Sequence, residues 1–201
     1  MADYNRDVVP TEKYHNCKPL SEMTLEELWQ LFPIILAEHN PDWQSYYEVE
    51  KELLTKQFGS HLVRINHIGS TAVKGLLAKP TVDILLEVAV GTSPETVRQL
   101  AVTCGYTVMA ETVVGEYRLD LCKGYTPLGF AEKVFHLHIR HRGDWDELIF
   151  CEYLKNNPDK AQEYAQLKLE LQKRFKHDRD GYTQAKGDFI RQCVKAARSA
   201  K

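Results

Sequence analysis

The sequence predicts an α+β fold in which a small sheet, mixed or antiparallel, is flanked by helices. Short apolar runs bounded by glycine and proline fill the middle third of the chain, and such runs are typical of strands. Before and after that third, apolar residues recur at helical intervals, which is typical of helices packed on a core. The 201 residues, 43% of them hydrophobic, suffice for one domain with such a core.

The N-terminal third is predicted to hold an arm, two helices and a short strand. Residues 1–20 are polar and aperiodic, so we expect a flexible N-terminal arm there. A capping box that begins at Thr24 opens a short helix, which ends before Pro33. Residues 34–37 are apolar and are predicted to form a short buried strand. Residues 43–58 show helical periodicity, and the glycine after them ends the helix.

The middle third is predicted to form the sheet. The expected strands are residues 61–68, 81–88, 106–111, 116–123 and 133–140. A helix over residues 94–104 separates the second strand from the third, and a loop over residues 124–131 joins the last two strands in a hairpin. Between the first two strands, a Gly-Ser turn precedes a short helical or irregular piece.

The C-terminal third is predicted to be helical. Three apolar stripes with i, i+3/i+4 spacing occupy residues 145–153, 164–175 and 189–197. We therefore expect residues 21–143 to form an α/β core, and residues 144–201 to form helices packed on the same domain.

Composition argues against several classes of protein. Lys and Arg number 26 and Asp and Glu number 28, which gives no general attraction for nucleic acid or anionic membranes. No apolar run follows the N-terminus as in a signal peptide, and the most apolar stretch, residues 82–90, is too short to cross a bilayer. Five cysteines without a Cys-x-x-Cys pair indicate neither a zinc ribbon nor disulfides. We expect a cytoplasmic protein without a membrane partner, and a nucleic-acid partner would need a local basic patch.

The most informative feature is a Gly-Ser turn followed by a strand that carries an acid. Gly69 allows close approach of the backbone to a ligand, and Ser70 with the free N–H groups of a following helix can hold phosphate oxygens. Asp83 interrupts an apolar strand, where an unpartnered carboxylate is rare, so it predicts either a salt bridge or a metal ligand. The alternative is that Gly69 and Ser70 form only a turn and a helix cap.

The same segment resembles a known protein family. Residues 67–86 contain a His-Ile-Gly-Ser-Thr block, a Gly-Leu-x-Ala-Lys-Pro block and an Asp-Ile strand, and these resemble the GrpB family, of UPF0157 type. The Asn-Pro-Asp-Trp of residues 40–43, the His-x-His of residues 136–138 and the Tyr-Thr-Gln-Ala-Lys of residues 182–186 extend the resemblance. It covers residues 34–192 and implies a nucleotidyltransferase-like fold.

The resemblance also implies an activity and a site. Nucleotidyltransferases of this kind combine Gly-Ser with an Asp-x-Asp strand and a third acid, and these acids hold two magnesium ions. Gly69, Ser70 and Asp83 match that pattern, but Leu85 stands where the second acid belongs, and leucine cannot bind magnesium. Two-metal catalysis is therefore in doubt.

Other residues could complete a metal site. Glu87 shares the side of Asp83 on the strand but lies four residues, or about 13 Å, further along. His136 and His138 share one face of the strand that the resemblance places beside Asp83. One aspartate with two histidines is more typical of a transition-metal site than of a magnesium site. The expected cofactor is therefore a divalent metal, either magnesium or manganese, with zinc or another transition metal as the alternative that the histidine pair suggests. A hydrogen-bonded histidine pair without a metal is the alternative.

The predicted site thus has three groups of residues. The expected catalytic residues are Asp83, Ser70, His136 and His138. The expected ligands of a divalent metal are Asp83, Glu87, His136 and His138. The expected phosphate- and nucleotide-binding residues are His67, Gly69, Ser70, Thr71, Lys79, Arg118, Arg140 and Lys186. An ion pair between Arg118 and Asp120, two residues apart, is an alternative that needs no ligand.

Three functions remain open on this basis. The first is an enzyme that transfers a nucleotidyl group from a nucleoside triphosphate to an unknown small-molecule or protein acceptor. The second, favoured by Leu85, is a regulatory module that binds a nucleotide or CoA-related ligand and has lost catalysis. The third is an interaction domain that binds partners through its C-terminal helices.

Overall fold

A five-stranded mixed sheet forms the centre of the molecule, in a computed structural model that describes residues 17–200. The strands are β1 (Leu62–Ile68), β2 (Val82–Val88), β3 (Thr107–Thr112), β4 (Arg118–Thr126) and β5 (Gly129–His141). They lie in the order β1-β2-β5-β4-β3, with β2 and β5 parallel and the other neighbours antiparallel. The arm predicted for residues 1–20 falls outside the described residues, except for residues 17–20.

Helices flank the sheet, which confirms the predicted α+β class. They are α1 (Leu25–Leu31), α2 (Asp42–Phe58), α3 (Pro94–Thr103), α4 (Asp146–Asn156), α5 (Pro158–Arg174), α6 (Arg179–Ala185) and α7 (Gly187–Ser199). The capping box at Thr24 forms as predicted, since its side chain accepts from the backbone N–H of Glu27 and the Glu27 carboxylate accepts in return. No helix within residues 17–200 has the length and apolar character needed to cross a membrane.

One face of the sheet is apolar and packs against α2 and α3. On β2 it presents Val82, Ile84 and Leu86, because alternate residues of a strand project to the same side. These side chains contact helix residues such as Leu54 and Val97, and all five are 1% exposed or less. This layer is the main core of the protein.

The opposite face carries the polar residues and is covered only in part. Leu85, on the same side of β2 as Asp83, is fully buried against Ile68 and Trp145 at the start of α4. The helices α4, α5 and α7 pack together around Tyr164, Leu154 and neighbouring apolar residues. A cleft remains between these helices and the end of the sheet where Asp83 lies.

Residues 34–37 do not form the predicted strand. The Ile34 side chain is buried against Leu171 and Tyr182, and its backbone N–H donates to the carbonyl of Lys176. Only an isolated bridge to residue 78 forms at Ala37. Ile34 is therefore apolar because it packs on α5 and α6 and not because it pairs in a sheet, whereas Ile35 is 47% exposed.

The hairpin loop is much shorter than the predicted residues 124–131. β4 continues to Thr126 and β5 begins at Gly129, which leaves only two residues between them. Pairing continues past Gly124 because this glycine has a φ of 90° at a shift in register, where a Cβ would clash with the Lys133 carbonyl. The glycine marks a bulge within the ladder and not the start of the loop.

In the C-terminal third, α6 was not predicted as a separate helix.

Candidate functional site

A cleft of about 770 Å³ lies between the polar face of the sheet and the C-terminal helices. It brings together most of the residues that the sequence predicts for the site. The predicted residues that line it are Gly69, Ser70, Thr71, Lys79, Asp83, Arg118, His136, His138 and Lys186. The predicted residues that do not line it are His67, Glu87 and Arg140.

Asp83, His136 and His138 form a triad at the floor of the cleft. The parallel pairing of β2 with β5 places Asp83 opposite His136, and His138 follows on the same face. Asp83 Oδ1 lies 3.1 Å from His136 Nδ1 and 3.9 Å from His138 Nε2. One potential ligand atom from each residue lies within 4.8 Å of the other two. All three side chains are half-buried and therefore reachable from the cleft.

The second ring nitrogen of each histidine has its own partner. His136 Nε2 lies 2.9 Å from the Tyr125 hydroxyl, and His138 Nδ1 lies 2.7 Å from Asp120 Oδ1. The Arg179 guanidinium donates to the Tyr125 hydroxyl at 2.7 Å. These contacts fix both rings so that the remaining nitrogens face Asp83.

The charges of the triad depend on one another. Burial tends to raise the pKa of Asp83, but hydrogen bonds from His136 and His138 hold it well below its usual range. Burial tends to lower the pKa of His138, but Asp120 and Asp83 on its two sides raise it to about 9. Burial lowers the pKa of His136, against a smaller opposing effect of Asp83. When no metal ion is bound, His138 therefore carries the positive charge of the triad.

The Gly69–Ser70 turn lies directly against the triad. Gly69 has a φ of 70°, and a Cβ at this position would clash with Asp83 Oδ2. The close approach expected of this glycine is therefore made to the Asp83 carboxylate. The Ser70 hydroxyl accepts a hydrogen bond of 3.0 Å from Lys168 Nζ.

Four cationic side chains surround the inner end of the cleft. They are Lys79, Lys168, Arg179 and Lys186. The ammonium groups of Lys79 and Lys186 lie 5.8 and 4.5 Å from the centre of the Tyr182 ring. Lys168, only 3% exposed, donates to Ser70 and to the Leu77 carbonyl. Among residues 17–200, no ion pair neutralises these four cations.

The pKa values of the three lysines are lowered by burial and by neighbouring positive charges. Burial, together with the positive charge of Lys186, lowers the pKa of Lys79 and of Lys168 to about 7 each. Burial, together with Arg179, lowers the pKa of Lys186 to about 8. The Asp83 charge raises all three values, but not enough to offset burial and repulsion.

Glu87 lies apart from the triad and is removed from the expected ligand set. It is fully buried, with hydrogen bonds to its carboxylate from the Gly143 backbone N–H at 2.9 Å and from Trp145 Nε1 at 3.0 Å. Its second oxygen pairs with Arg64. These bonds anchor the loop before α4, so Glu87 has a structural role.

Two expected phosphate-binding residues also point elsewhere. The His67 ring stacks on Tyr47 with centroids 4.8 Å apart, and burial lowers its pKa to about 4. Arg140 is 3% exposed and donates to backbone carbonyls and to Asp120 at 2.7 Å. Neither side chain lines the cleft, so both have structural roles in the layer beneath the site.

Thr71 and Arg118 line the cleft with their polar groups already engaged. The Thr71 hydroxyl donates to the Thr81 carbonyl at 3.2 Å, which closes the turn. Arg118 lies at the cleft mouth, paired with Glu116 at 2.5 Å. The predicted Arg118–Asp120 pair is not found, because Asp120 bonds instead to residues of β5.

Four residues of the site were not identified from the sequence. They are Asp120, Tyr125, Lys168 and Arg179. Asp120 interrupts the apolar residues of β4 as Asp83 interrupts those of β2, so an acid within an apolar strand could have indicated it too. Lys168 falls on the buried stripe of α5 between Tyr164 and Leu171, where a lysine is unusual. Tyr125 and Arg179 carry no sequence signal, because only the tertiary structure brings Tyr125 to His136 and Arg179 to Tyr125.

Comparison with known proteins identifies the family. A model of the GrpB protein family matches residues 33–196. The chain belongs to the GrpB family. This match confirms the family resemblance that the sequence shows over residues 34–192.

Several GrpB relatives are similar over most of this chain. A UPF0157 protein of Pseudomonas aeruginosa is 32% identical over 80% of the chain, and the UPF0157 protein YqkA of Bacillus subtilis is 30% identical over 88%. The matches span 66% and 52% of those two proteins. The glutamate-rich protein GrpB of Alkalihalophilus pseudofirmus is 30% identical over 78% of this chain and 91% of its own.

A solved GrpB structure shares the fold. The crystal structure of the conserved protein GrpB from Enterococcus faecalis superposes with a TM-score of 0.67 and 29% sequence identity. The match covers 81% of this chain and 96% of the Enterococcus chain. The mixed sheet and its flanking helices are therefore shared with that family member.

Proposed function

We propose that this GrpB-family protein is a metal-dependent nucleotidyltransferase, which moves a nucleotidyl group from a nucleoside triphosphate to a small-molecule or protein acceptor. The observation that carries the proposal is the Asp83–His136–His138 triad, set against the Gly69–Ser70 turn in an open cleft. A metal site beside a turn that can hold phosphate is the minimum that this chemistry needs.

The triad fits a divalent transition metal. Its donor atoms are close enough to bind one ion, and two imidazoles with one carboxylate favour zinc, manganese or iron over magnesium. The carboxylate of Asp120 and the hydroxyl of Tyr125 occupy the positions from which partners orient metal-bound histidines. Three protein ligands leave further positions open for phosphate oxygens.

The metal, when bound, supplies positive charge at the reacting phosphate. In the transfer, the acceptor hydroxyl gives up its proton to solvent and its oxygen bonds to the α-phosphorus, while the bond from that phosphorus to the oxygen bridging the α- and β-phosphates breaks, and pyrophosphate leaves with the bonding electrons. Asp83, His136 and His138 hold the metal, and Ser70 with Lys79 and Lys186 binds phosphate oxygens. The walls of the cleft position the two substrates and limit access of water.

Metal binding and turnover test this proposal. Calorimetric titration of the metal-free protein with zinc and manganese should show one site, lost in His138→Gln and retained in His141→Gln, a matched histidine of β5 that lies outside the triad. Each nucleoside triphosphate is then incubated with the metal-loaded protein and candidate acceptors, and pyrophosphate release is measured. Equal metal binding by both variants would contradict the metal site, whereas pyrophosphate release that persists in Asp83→Asn would contradict the catalytic assignment.

A second function is favoured by one specific observation. Leu85 occupies the position of a second metal-binding acid and is fully buried, which is consistent with a module that binds a nucleotide or CoA-related ligand without catalysis. That module would be stabilised by its ligand against heat but would form no product. Thermal denaturation with ATP, GTP, CTP, UTP and CoA, followed by product analysis, distinguishes the two functions.

The expected location and partners complete the proposal. The cysteines at positions 17, 104, 122, 151 and 193 are all unpaired, as expected in a reducing compartment, and we propose a cytoplasmic location. The proposed partners are a nucleoside triphosphate and the acceptor.

A further inference from the structure

We propose that Lys79, Lys168, Arg179 and Lys186 form an anion-binding subsite that takes two linked phosphate groups, a pyrophosphate group, and that it binds them without the metal. The inference rests on the proposed function for the source of those phosphates, a nucleoside triphosphate. Lys79 and Lys186 already bind phosphate oxygens in the proposed function, but none of the four residues belongs to the triad, so the subsite does not depend on the metal.

The first argument is that the four cations lack a counter-charge. Lys168 is almost fully buried; among residues 17–200 its ammonium group donates to the neutral Ser70 hydroxyl and Leu77 carbonyl and lies 4.7 Å from the centre of the Tyr164 ring, but it meets no carboxylate. The ammonium groups of Lys79 and Lys186 face the same Tyr182 ring and make no hydrogen bond within the described part of the chain. Burying like charges together is unfavourable unless an anion joins them. The cluster is therefore complementary to a ligand and not to the protein itself.

The second argument is that most of the carboxylates that line the cleft are paired with other residues; Glu147 and Asp180 are the two that make no ion pair among residues 17–200. Asp83 pairs with the two histidines of the triad, and it is the one acid whose charge raises the pKa of all three lysines. At the cleft mouth, Asp144 and Asp146 pair with Arg198. The three lysines share the charge of Asp83, so the four cations together carry an excess positive charge that matches pyrophosphate better than a single phosphate.

The third argument is the connection between this subsite and the triad. Lys168 holds Ser70, which is adjacent to Gly69 and hence to Asp83, and Arg179 holds Tyr125, which bonds to His136. A phosphate chain bound by the four cations therefore ends beside the triad. This arrangement suits a leaving pyrophosphate, whose negative charge develops away from the reacting phosphorus.

Titration with inorganic pyrophosphate in the presence of EDTA tests the subsite directly. The wild-type protein should bind pyrophosphate, and orthophosphate at least tenfold more weakly. Lys168→Met and Lys186→Met should each weaken pyrophosphate binding about tenfold or more, because each removes a charge-assisted hydrogen bond. Lys173→Met is the matched control, since Lys173 lies exposed on the same helix as Lys168 and should have no effect. Asp83→Asn should tighten binding, because it removes the carboxylate that faces the lysines.

Several results would overturn the inference. These are no binding of pyrophosphate by the folded wild-type protein, equal binding of orthophosphate, or unchanged binding by both lysine variants. Lys186→Met keeps the test valid if Lys168→Met does not fold, and cooperative melting checks each variant. Pyrophosphate binding that depends on the lysines, without any nucleotidyl product, would contradict the proposed function and leave the subsite intact.

Discussion

Gly69 lies so close to the Asp83 carboxylate that any side chain at position 69 would displace it. We therefore expect Gly69→Ala to weaken zinc binding at least tenfold, because the displaced carboxylate can no longer reach the metal with the histidines. Gly75→Ala is the control, since Gly75 has a φ of 78° with open space around its Cβ. Both variants should lose about 1 kcal/mol of stability from backbone strain. Titration with zinc should show the loss of affinity in the first variant only.

Asp120 is expected to tune the metal site through His138. Asp120→Asn removes the charge that orients His138 Nδ1 at 2.7 Å, so zinc affinity should fall by about 10- to 100-fold while the triad itself remains. Glu116→Gln is the control, because Glu116 lines the same cleft but pairs with Arg118. Competition against a chelator of known affinity measures both variants. Equal affinity of the two would exclude a role for Asp120.

Leu85 is expected to be essential for stability and not for chemistry. Because it is fully buried against Ile68 and Trp145, Leu85→Ala should cost about 2–5 kcal/mol of unfolding free energy. Leu53→Ala, on the exposed side of α2, should cost far less. Leu85→Asp should lose cooperative unfolding and should not create a second metal site. Urea denaturation of each variant checks these expectations.

Lys168 is expected to make stability depend on pH. Its pKa is about 7 in the folded protein and near 10.5 when unfolded, because burial and then the charges of Lys186 and Lys79 lower it while Asp83 raises it. Between pH 7 and 10.5, Lys168 is protonated in the unfolded chain but mostly neutral in the folded protein. The free-energy cost of burying Lys168 is therefore fully present below pH 7 and shrinks as the pH rises to 10.

The variant Lys168→Met isolates this effect. Relative to the variant, the wild type should gain up to about 1.4 kcal/mol of unfolding free energy per pH unit across that window. Lys173→Met, which alters an exposed lysine, should show no such trend. Urea denaturation at several pH values between 6 and 10 supplies the measurement. A constant difference between wild type and Lys168→Met would show that Lys168 stays protonated.

Local patterns were sufficient for most of the secondary structure. The capping box at Thr24 and the periodicity of residues 43–58 have local causes, and both helices form there. The apolar run of residues 34–37 did not become a strand, because its one buried residue, Ile34, packs on α5 and α6, which are distant in sequence. A short apolar run therefore does not by itself specify a strand.

The sequence alone determined the family, the fold class and the residues whose chemistry is unusual for their context. Asp83 in an apolar strand, the histidines at alternate positions of β5 and the Gly-Ser turn are all local features, so they could be recognised without a structure. Only the tertiary structure decided which polar residues meet. It placed Glu87 against Trp145 and turned Arg140 toward Asp120. It also brought Lys168 to Ser70, 98 residues away in sequence, and Arg179 to Tyr125, 54 residues away. The physical reason is that the side on which a strand residue lies follows from its position, whereas the helix that covers it follows from packing of the whole chain.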